Sequence, residues 1–161
     1  LRIDIGDISI LSVYFPSGTT GDERQAVKMK FLADVYDYLH KLSKTRTKLV
    51  VTGDYNIANN PIDIHNPVAN KDTSGFKPEE REWMTKYLDS GFIDTFRYFH
   101  KDAAHQYSWW SFRANARAKN LGWRIDYQMV SQPMEKALKR AVILPDARHS
   151  DHCPVLIEVD F

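Results

Sequence analysis

The sequence has a single cysteine, Cys153, among 161 residues. That excludes an internal disulfide and, with no Cys-x-x-Cys pair, a thiolate zinc site or a dithiol redox centre. Such cysteine usage predicts a reducing, cytoplasmic setting. Long apolar runs are missing too. Stretches such as Leu49 to Val51 and Ala141 to Leu144 fall far short of the ~20 residues that a membrane-spanning helix needs, so no membrane partner is expected. Neither sign of charge dominates: 22 Lys+Arg stand against 21 Asp+Glu, a formal net charge of +1. A protein that holds nucleic acid by net charge alone carries a large basic excess, so DNA contact here would need locally concentrated basic groups. There is no internal repeat and no low-complexity segment. Leu1 to Ile5 carries neither an initiator methionine nor the layout of a signal peptide, so the chain is expected to be processed or cut from something longer.

What is present is an ordinary globular mixture, 43% hydrophobic and 27% charged, at a length that suits one domain over residues 1–161. Leu1 to Phe15 alternates apolar and polar residues around a Gly6-Asp7 turn signal, the pattern of a strand hairpin. Val27, Phe31, Leu32, Val35, Tyr36, Leu39 and Leu42 then recur at threes and fours, the stripe of an amphipathic helix. Lys48 to Thr52 reads as a short β-branched strand, followed by a long polar loop, Asp54 to Lys77. Loops of that length in a compact domain are usually functional or disordered.

A second helix is expected from Pro78, with Glu79 and Glu80 at its positive end, Trp83, Met84, Tyr87 and Leu88 on its buried side and Gly91 ending it. Gln106 to Phe112 and Trp123 to Val130 read as strands around a basic loop that holds Arg113, Arg117 and Lys119. Pro133 to Lys139 reads as a short helix, and Arg140 to Leu144 and Pro154 to Phe161 as two last strands. Strands sharing sheets beneath outer helices predict an α/β layered sandwich.

Three stretches place polar chemistry at predicted strand ends. In Gly53-Asp54-Tyr55-Asn56 the two-residue spacing puts Asp54 and Asn56 on one side, where an acid and an amide can orient a water and a phosphate oxygen. An Asx-type turn is the alternative reading. Asp126 interrupts an apolar strand and needs a partner there. Ser150-Asp151-His152-Cys153-Pro154 offers a carboxylate beside an imidazole that could move protons or hold phosphate charge, or else forms a polar loop. In a sandwich, such strand ends meet at one rim.

These three stretches, with Ser12-Val13-Tyr14-Phe15-Pro16, Gly75-Phe76-Lys77-Pro78-Glu79-Glu80-Arg81-Glu82-Trp83, Ile93-Asp94-Thr95-Phe96-Arg97, Tyr107-Ser108-Trp109-Trp110 and Trp123-Arg124-Ile125-Asp126-Tyr127, run in an order that resembles the exonuclease III-like apurinic/apyrimidinic endonucleases over nearly the whole chain. The resemblance implies a four-layer α-β-β-α sandwich of the DNase I-like type and a phosphodiesterase dependent on a divalent metal, Mg²⁺ or Mn²⁺. It implies double-stranded DNA as partner, cut on the 5′ side of abasic sites, with 3′-5′ exonuclease or 3′-phosphatase activity besides. By the same resemblance Asp54 would orient or deprotonate the attacking water, Asn56 would hold phosphate and water in line, and His152 would stabilise the phosphate charge. Asp126 would pair with His152, Tyr14 would lie against the phosphate or a metal-bound water, and Asp151 would lie near the metal. Trp109, Trp123 and Ile125 would wall a pocket for an extruded abasic sugar, and Asn70 would contact DNA near the phosphate. Arg113, with Arg117 and Lys119, would follow the backbone, a solvated basic loop being the alternative.

Members of that family begin with a segment that has no counterpart here, carrying an active-site Asn and the principal metal-ligand Glu, and no other Glu of this sequence matches that position. The expectation is an incomplete sandwich with most of one sheet missing, an open apolar sheet face, an unpaired edge near Leu1 to Phe15, and a homodimer formed through the uncovered face. The chain by itself is expected to be weak or inactive. A non-catalytic DNA-binding or assembly half-domain is the competing class, and a phosphohydrolase of phosphoinositides, sphingomyelin or RNA is a third, which the Trp109 and Trp123 pair disfavours.

Overall fold

The computed structural model describes residues 1–160. A five-stranded sheet forms its centre, in the order β1 (Arg2–Ile5), β2 (Ile8–Ser12), β3 (Lys48–Asp54), β7 (Asp126–Ser131), β4 (Phe92–Asp94). Strands β1 and β2 make the expected hairpin around Gly6 and Asp7. Strand β2 runs parallel to β3, and the helix α1 (Asp22–Ser43) is the crossover between them. Strand β7 is antiparallel to both β3 and β4.

Alternation along these strands divides the core. Leu11, Leu49, Val51, Tyr127 and Met129 point to the face covered by α1 and α2 (Pro78–Asp89), meeting Leu32, Leu39, Trp83, Met84 and Tyr87. Full burial of each such side chain contributes about 1.5–3 kcal/mol. Ile8, Val50 and Val130 point the other way, onto Met134 and Leu138. That second layer is the antiparallel pair β8 (Leu138–Ile143) and β9 (Val155–Val159), entered through a 3₁₀ segment, Gln132–Ala137.

The open face is therefore narrower than the sequence suggests, because Ile157 and Val159 pack over the part of the sheet around Ile8 and Val50. What stays exposed is the edge: Ile3 and Ile5 on β1, which has one strand neighbour, β2. Other expectations need correction. Val27 is exposed, since the buried stripe of α1 runs through Gln25, Lys28, Leu32, Val35, Leu39 and Leu42, about 100° round the helix from it. The strand expected over Gln106 to Phe112 shrinks to β5 (Trp109–Trp110), and that expected over Trp123 to Val130 divides into β6 (Gly122–Trp123) and β7. A short helix, α3 (Thr95–Phe99), begins where the Asp94 side chain accepts from the Arg97 amide. The long loop after β3 is packed, with Tyr55, Ile57, Ala58, Asp63, Ile64 and Phe76 all buried.

A buried charge network fixes that loop. Arg124, 1% exposed, donates from Nε to Asp63 (2.8 Å) and from its terminal nitrogens to both oxygens of Asp94 (3.1 and 2.7 Å). Arg97 completes the set through two bonds to Asp63 (3.0 and 2.6 Å).

Candidate active site

Strand β3 ends at Gly53-Asp54. Gly53 has φ +146, and a Cβ there would run into the carbonyl oxygen of Val13, so the chain after β2 can lie close against it. Asp54 stands opposite Asp126 in the β3–β7 register. Asn56 turns back in a left-handed conformation, φ +51, and its side-chain amide donates to Asp54 Oδ2 (2.8 Å) and to the Phe15 carbonyl (3.0 Å). Its own backbone N–H bonds Asp54 Oδ1 (2.8 Å). The Asx turn is present, and its bonds are also what set the acid beside the amide. Burial, reinforced by the charge of Asp126, pushes the Asp54 carboxyl up to about 6 against the pull of the Asn56 amide, His152 and Lys28.

The partner that Asp126 needs is His152, with Nδ1 and Asp126 Oδ2 2.9 Å apart. Burial lowers the proton affinity of the imidazole, but the Asp126 bond and charge, with Asp54 and Asp151 behind them, more than reverse this and hold it above its usual range. The segment that carries His152 lies beside β5: Trp109 bridges His152, the Trp110 N–H bonds the Asp151 carbonyl (2.9 Å), and the Cys153 N–H bonds the Ser108 carbonyl (2.8 Å). Asp151 accepts from Trp109 Nε1 (3.0 Å) and Ser150 Oγ (3.0 Å). These bonds hold it below the ordinary carboxylate range although burial works the other way.

Asn56 and His152 face a cleft of about 280 Å³ walled by Trp109, Trp123, Ile125 and Gly75, with Ser17, Thr19, Thr73 and Ser74 completing it. The two indoles meet edge to face, 6.1 Å between centroids at 89°. Asp54 and Asp126 sit behind this lining, each hydrogen-bonded to the residue that forms it. Tyr14, 66% exposed, lies between Val13 and Phe15, whose amides bond the Thr52 and Asp54 carbonyls.

Asn70 and Arg113 are not part of the lining. The Asn70 amide donates to the His65 and Asn66 carbonyls (3.2 and 3.0 Å), bracing its own loop, and Arg113 is exposed beside the exposed Phe112. Arg117 departs from the expected backbone-following role. It turns inward, donating to the carbonyls of Ser150, Pro145 and Ala147 (2.6, 2.9 and 2.8 Å) with its guanidinium 4.6 Å from the Trp110 ring centre.

Sequence reasoning gave no role to Ser108, whose buried hydroxyl accepts from the amides of both Ile125 and Asp126 (3.1 Å each) and fixes the bend between pocket wall and carboxylate. The only available signal was a serine inside an aromatic strand. Ser17, Thr19 and Ser74 were also missed, being ordinary loop residues in the sequence.

Among the described residues, no group of three or more His, Cys, Asp or Glu is placed to hold a metal ion. A hard divalent cation takes about six oxygen ligands. Asp151 is one carboxylate with both oxygens already accepting, so these residues do not by themselves fit such an ion.

A carboxyl poised near neutrality, an imidazole held by a second carboxylate and a pocket of two indoles thus meet at one cleft. Known proteins match over nearly the whole chain. An exodeoxyribonuclease of Bacillus subtilis is 38% identical over 155 residues, covering 96% of this chain and 61% of its own length. The DNA repair nuclease APEX1 of Danio rerio is 38% identical over 157 residues, 98% of this chain and 50% of its own. An AP endonuclease structure from Archaeoglobus fulgidus superposes with a TM-score of 0.91 at 29% identity, and a Neisseria 3′ phosphatase bound to a product DNA hairpin with 0.93 at 28%. Each covers 99% of this chain and 64% of that structure's chain. The chain thus spans between 50% and 61% of the length of these two curated relatives. The model of the endonuclease/exonuclease/phosphatase family matches residues 2–152, and the chain belongs to that family, alongside its exodeoxyribonucleases and AP endonucleases.

Proposed function

We propose that this chain carries the phosphate-binding and damage-reading part of a DNA phosphodiesterase that cuts on the 5′ side of abasic sites, with 3′-5′ exonuclease or 3′-phosphatase activity on the same site. The observation that carries this is that Asn56 and His152 face the cleft walled by Trp109, Trp123 and Ile125, each hydrogen-bonded from behind by a carboxylate, Asp54 and Asp126 respectively. A phosphodiester repels an attacking hydroxide, so a catalyst must hold the water in line and offset the charge that builds on phosphate oxygens. Asp54, ionised at neutral pH, accepts the proton of that water while Asn56 orients it. His152, whose proton affinity the Asp126 carboxylate raises, donates to a phosphate oxygen. Tyr14 and Asn70 contact the strand near the phosphate, and Arg113 follows the backbone. The two indoles and Ile125 form an apolar slot that admits a sugar without its base more easily than an intact nucleotide, because flipping costs least where the base is missing.

Enzymes of this family use a divalent metal, and Asp151 alone does not complete a site for one. The chain by itself is therefore expected to bind abasic DNA and to cleave it weakly or not at all. The experiment is incision of a duplex oligonucleotide bearing one abasic analogue, with Mg²⁺ and with chelator, beside Asp54→Asn as control. Metal-dependent 5′ incision that Asp54→Asn abolishes supports the full reading. Abasic-selective binding without incision supports the damage-reading part and assigns the chemistry to a longer chain. A folded protein with no preference for abasic over intact duplex overturns it.

A further inference from the structure

Lys28 is fully buried, an unusual place for an ammonium group. Its Nζ lies 2.7 Å from Glu80 Oε1 and donates to the backbone carbonyl of Asn56 at 2.7 Å. Burial lowers the lysine's proton affinity, and Glu80 opposes that. Glu80 is itself fully buried, and its other oxygen accepts from the Gly75 and Lys77 amides (2.7 and 3.0 Å). Gln25 donates to the shared oxygen (3.0 Å). Taking two charges out of water is costly, and apolar residues of the same volume would serve packing as well. What such residues could not do is tie both ends. One end of the pair holds Asn56 in its left-handed turn. The other holds Gly75, φ +97, where a Cβ would meet the Trp123 ring at 2.9 Å and the Asn56 carbonyl at 3.1 Å.

We propose that Lys28 and Glu80 are a positioning pair that sets the spacing between the Asn56 amide and the Trp123 wall, so that the group orienting the attacking water and the surface selecting the nucleotide move as one rigid piece. This rests on the function proposed above and adds to it the residues that keep selection and chemistry in register.

The test uses the full chain with Lys28→Met/Glu80→Gln, which removes both charges together, and Lys28→Arg, which keeps both charges but whose longer, planar head changes the distance between the Asn56 carbonyl and Glu80. Two readouts are taken in chelator: the Asn56 side-chain amide and Trp123 indole resonances, and the ratio of affinities for abasic-analogue and intact duplexes. In folded variants both resonances are expected to shift together while the Trp83 indole, bonded to the Leu32 carbonyl between the helices, stays put. The affinity ratio is expected to fall about fivefold with intact-duplex binding unchanged, a loss of about 1 kcal/mol in discrimination. Unmoved Asn56 and Trp123 resonances in a folded variant overturn the proposal whatever the binding, and so does an unchanged ratio where the wild-type chain discriminates. If the wild-type chain shows no preference, the proposed function fails and the resonances alone decide the positioning role.

Discussion

His152 Nδ1 and Asp126 Oδ2 stand 2.9 Å apart, so a residue from the last loop is locked to a strand that begins 26 positions earlier. Burial alone would lower the histidine's proton affinity, and the Asp126 partner more than reverses it. Removing the partner while keeping the burial should undo that gain. In Asp126→Asn, His152 is expected to titrate below its wild-type position, because burial then acts without the opposing Asp126 bond and charge. Proton NMR of the imidazole, assigned with His152→Ala, measures this directly. A titration unmoved by Asp126→Asn would mean that other groups hold the imidazole's charge.

Asp54 carries a stability consequence of opposite character. In the fold it is pushed up to about 6, above the 3.8 of an ordinary Asp carboxyl. The folded state therefore binds this proton more tightly than the unfolded chain, and the stability it confers is present below 3.8 and lost as pH rises through about 6. Asp54→Asn, neutral at every pH, should be the more stable protein at neutral pH, with the difference fading in acid. The shift corresponds to about 3 kcal/mol at most, and solvent screening and the lost Asn56 bond reduce the expected gain to about 1 kcal/mol. Melting curves across this pH range in chelator decide it. Equal stability at neutral pH would show that the carboxylate is not strained by its site.

The elements that the sequence made legible are those whose signal is local. The Gly6-Asp7 turn, the Pro78 and Gly91 boundaries of α2 and the apolar stripe of α1 each depend on neighbours within a turn or two. Asp54, Asp126 and His152 were legible as candidates because each sits at a strand end, and strand ends in a sandwich converge. Lys28 and Glu80 were not, because a charged residue on a helix is ordinarily solvated and only the tertiary fold brings their partners to them. The same holds for Arg117. Its sequence neighbourhood is polar and basic, while the three carbonyls that claim it lie 28 to 33 positions away.

Arg113 and Arg117 should consequently separate in a salt titration of DNA binding. A side chain that neutralises one phosphate contributes about 0.7–0.9 to the slope of log affinity against log salt. Arg113→Ala is expected to reduce the slope by about that amount. Arg117→Ala should leave the slope alone and instead release the Pro145 to Ser150 loop, seen as faster proteolytic nicking there. An equal slope change in both would restore Arg117 to the DNA-contacting face.

The sharpest stability prediction falls on Arg124, which follows Trp123 and precedes Ile125 and so points away from the cleft that those two wall. Its guanidinium satisfies both oxygens of Asp94 and shares Asp63 with Arg97. Arg124→Met fills the space with an apolar side chain but leaves the Asp94 carboxylate buried without its ion partner, a situation that costs about 3–5 kcal/mol. Arg97→Met removes a less buried partner from an acid that Arg124 still pairs, and should cost clearly less. Against the roughly 5–15 kcal/mol of an ordinary domain, the first loss is a large part of the total. If the deficit in Arg124→Met is the stranded charge and not lost packing, then Arg124→Met/Asp94→Asn must recover most of it. Urea unfolding of the three variants separates the causes: a double variant no more stable than Arg124→Met would place the loss in packing against Tyr127, whose ring centre lies 4.5 Å from the guanidinium.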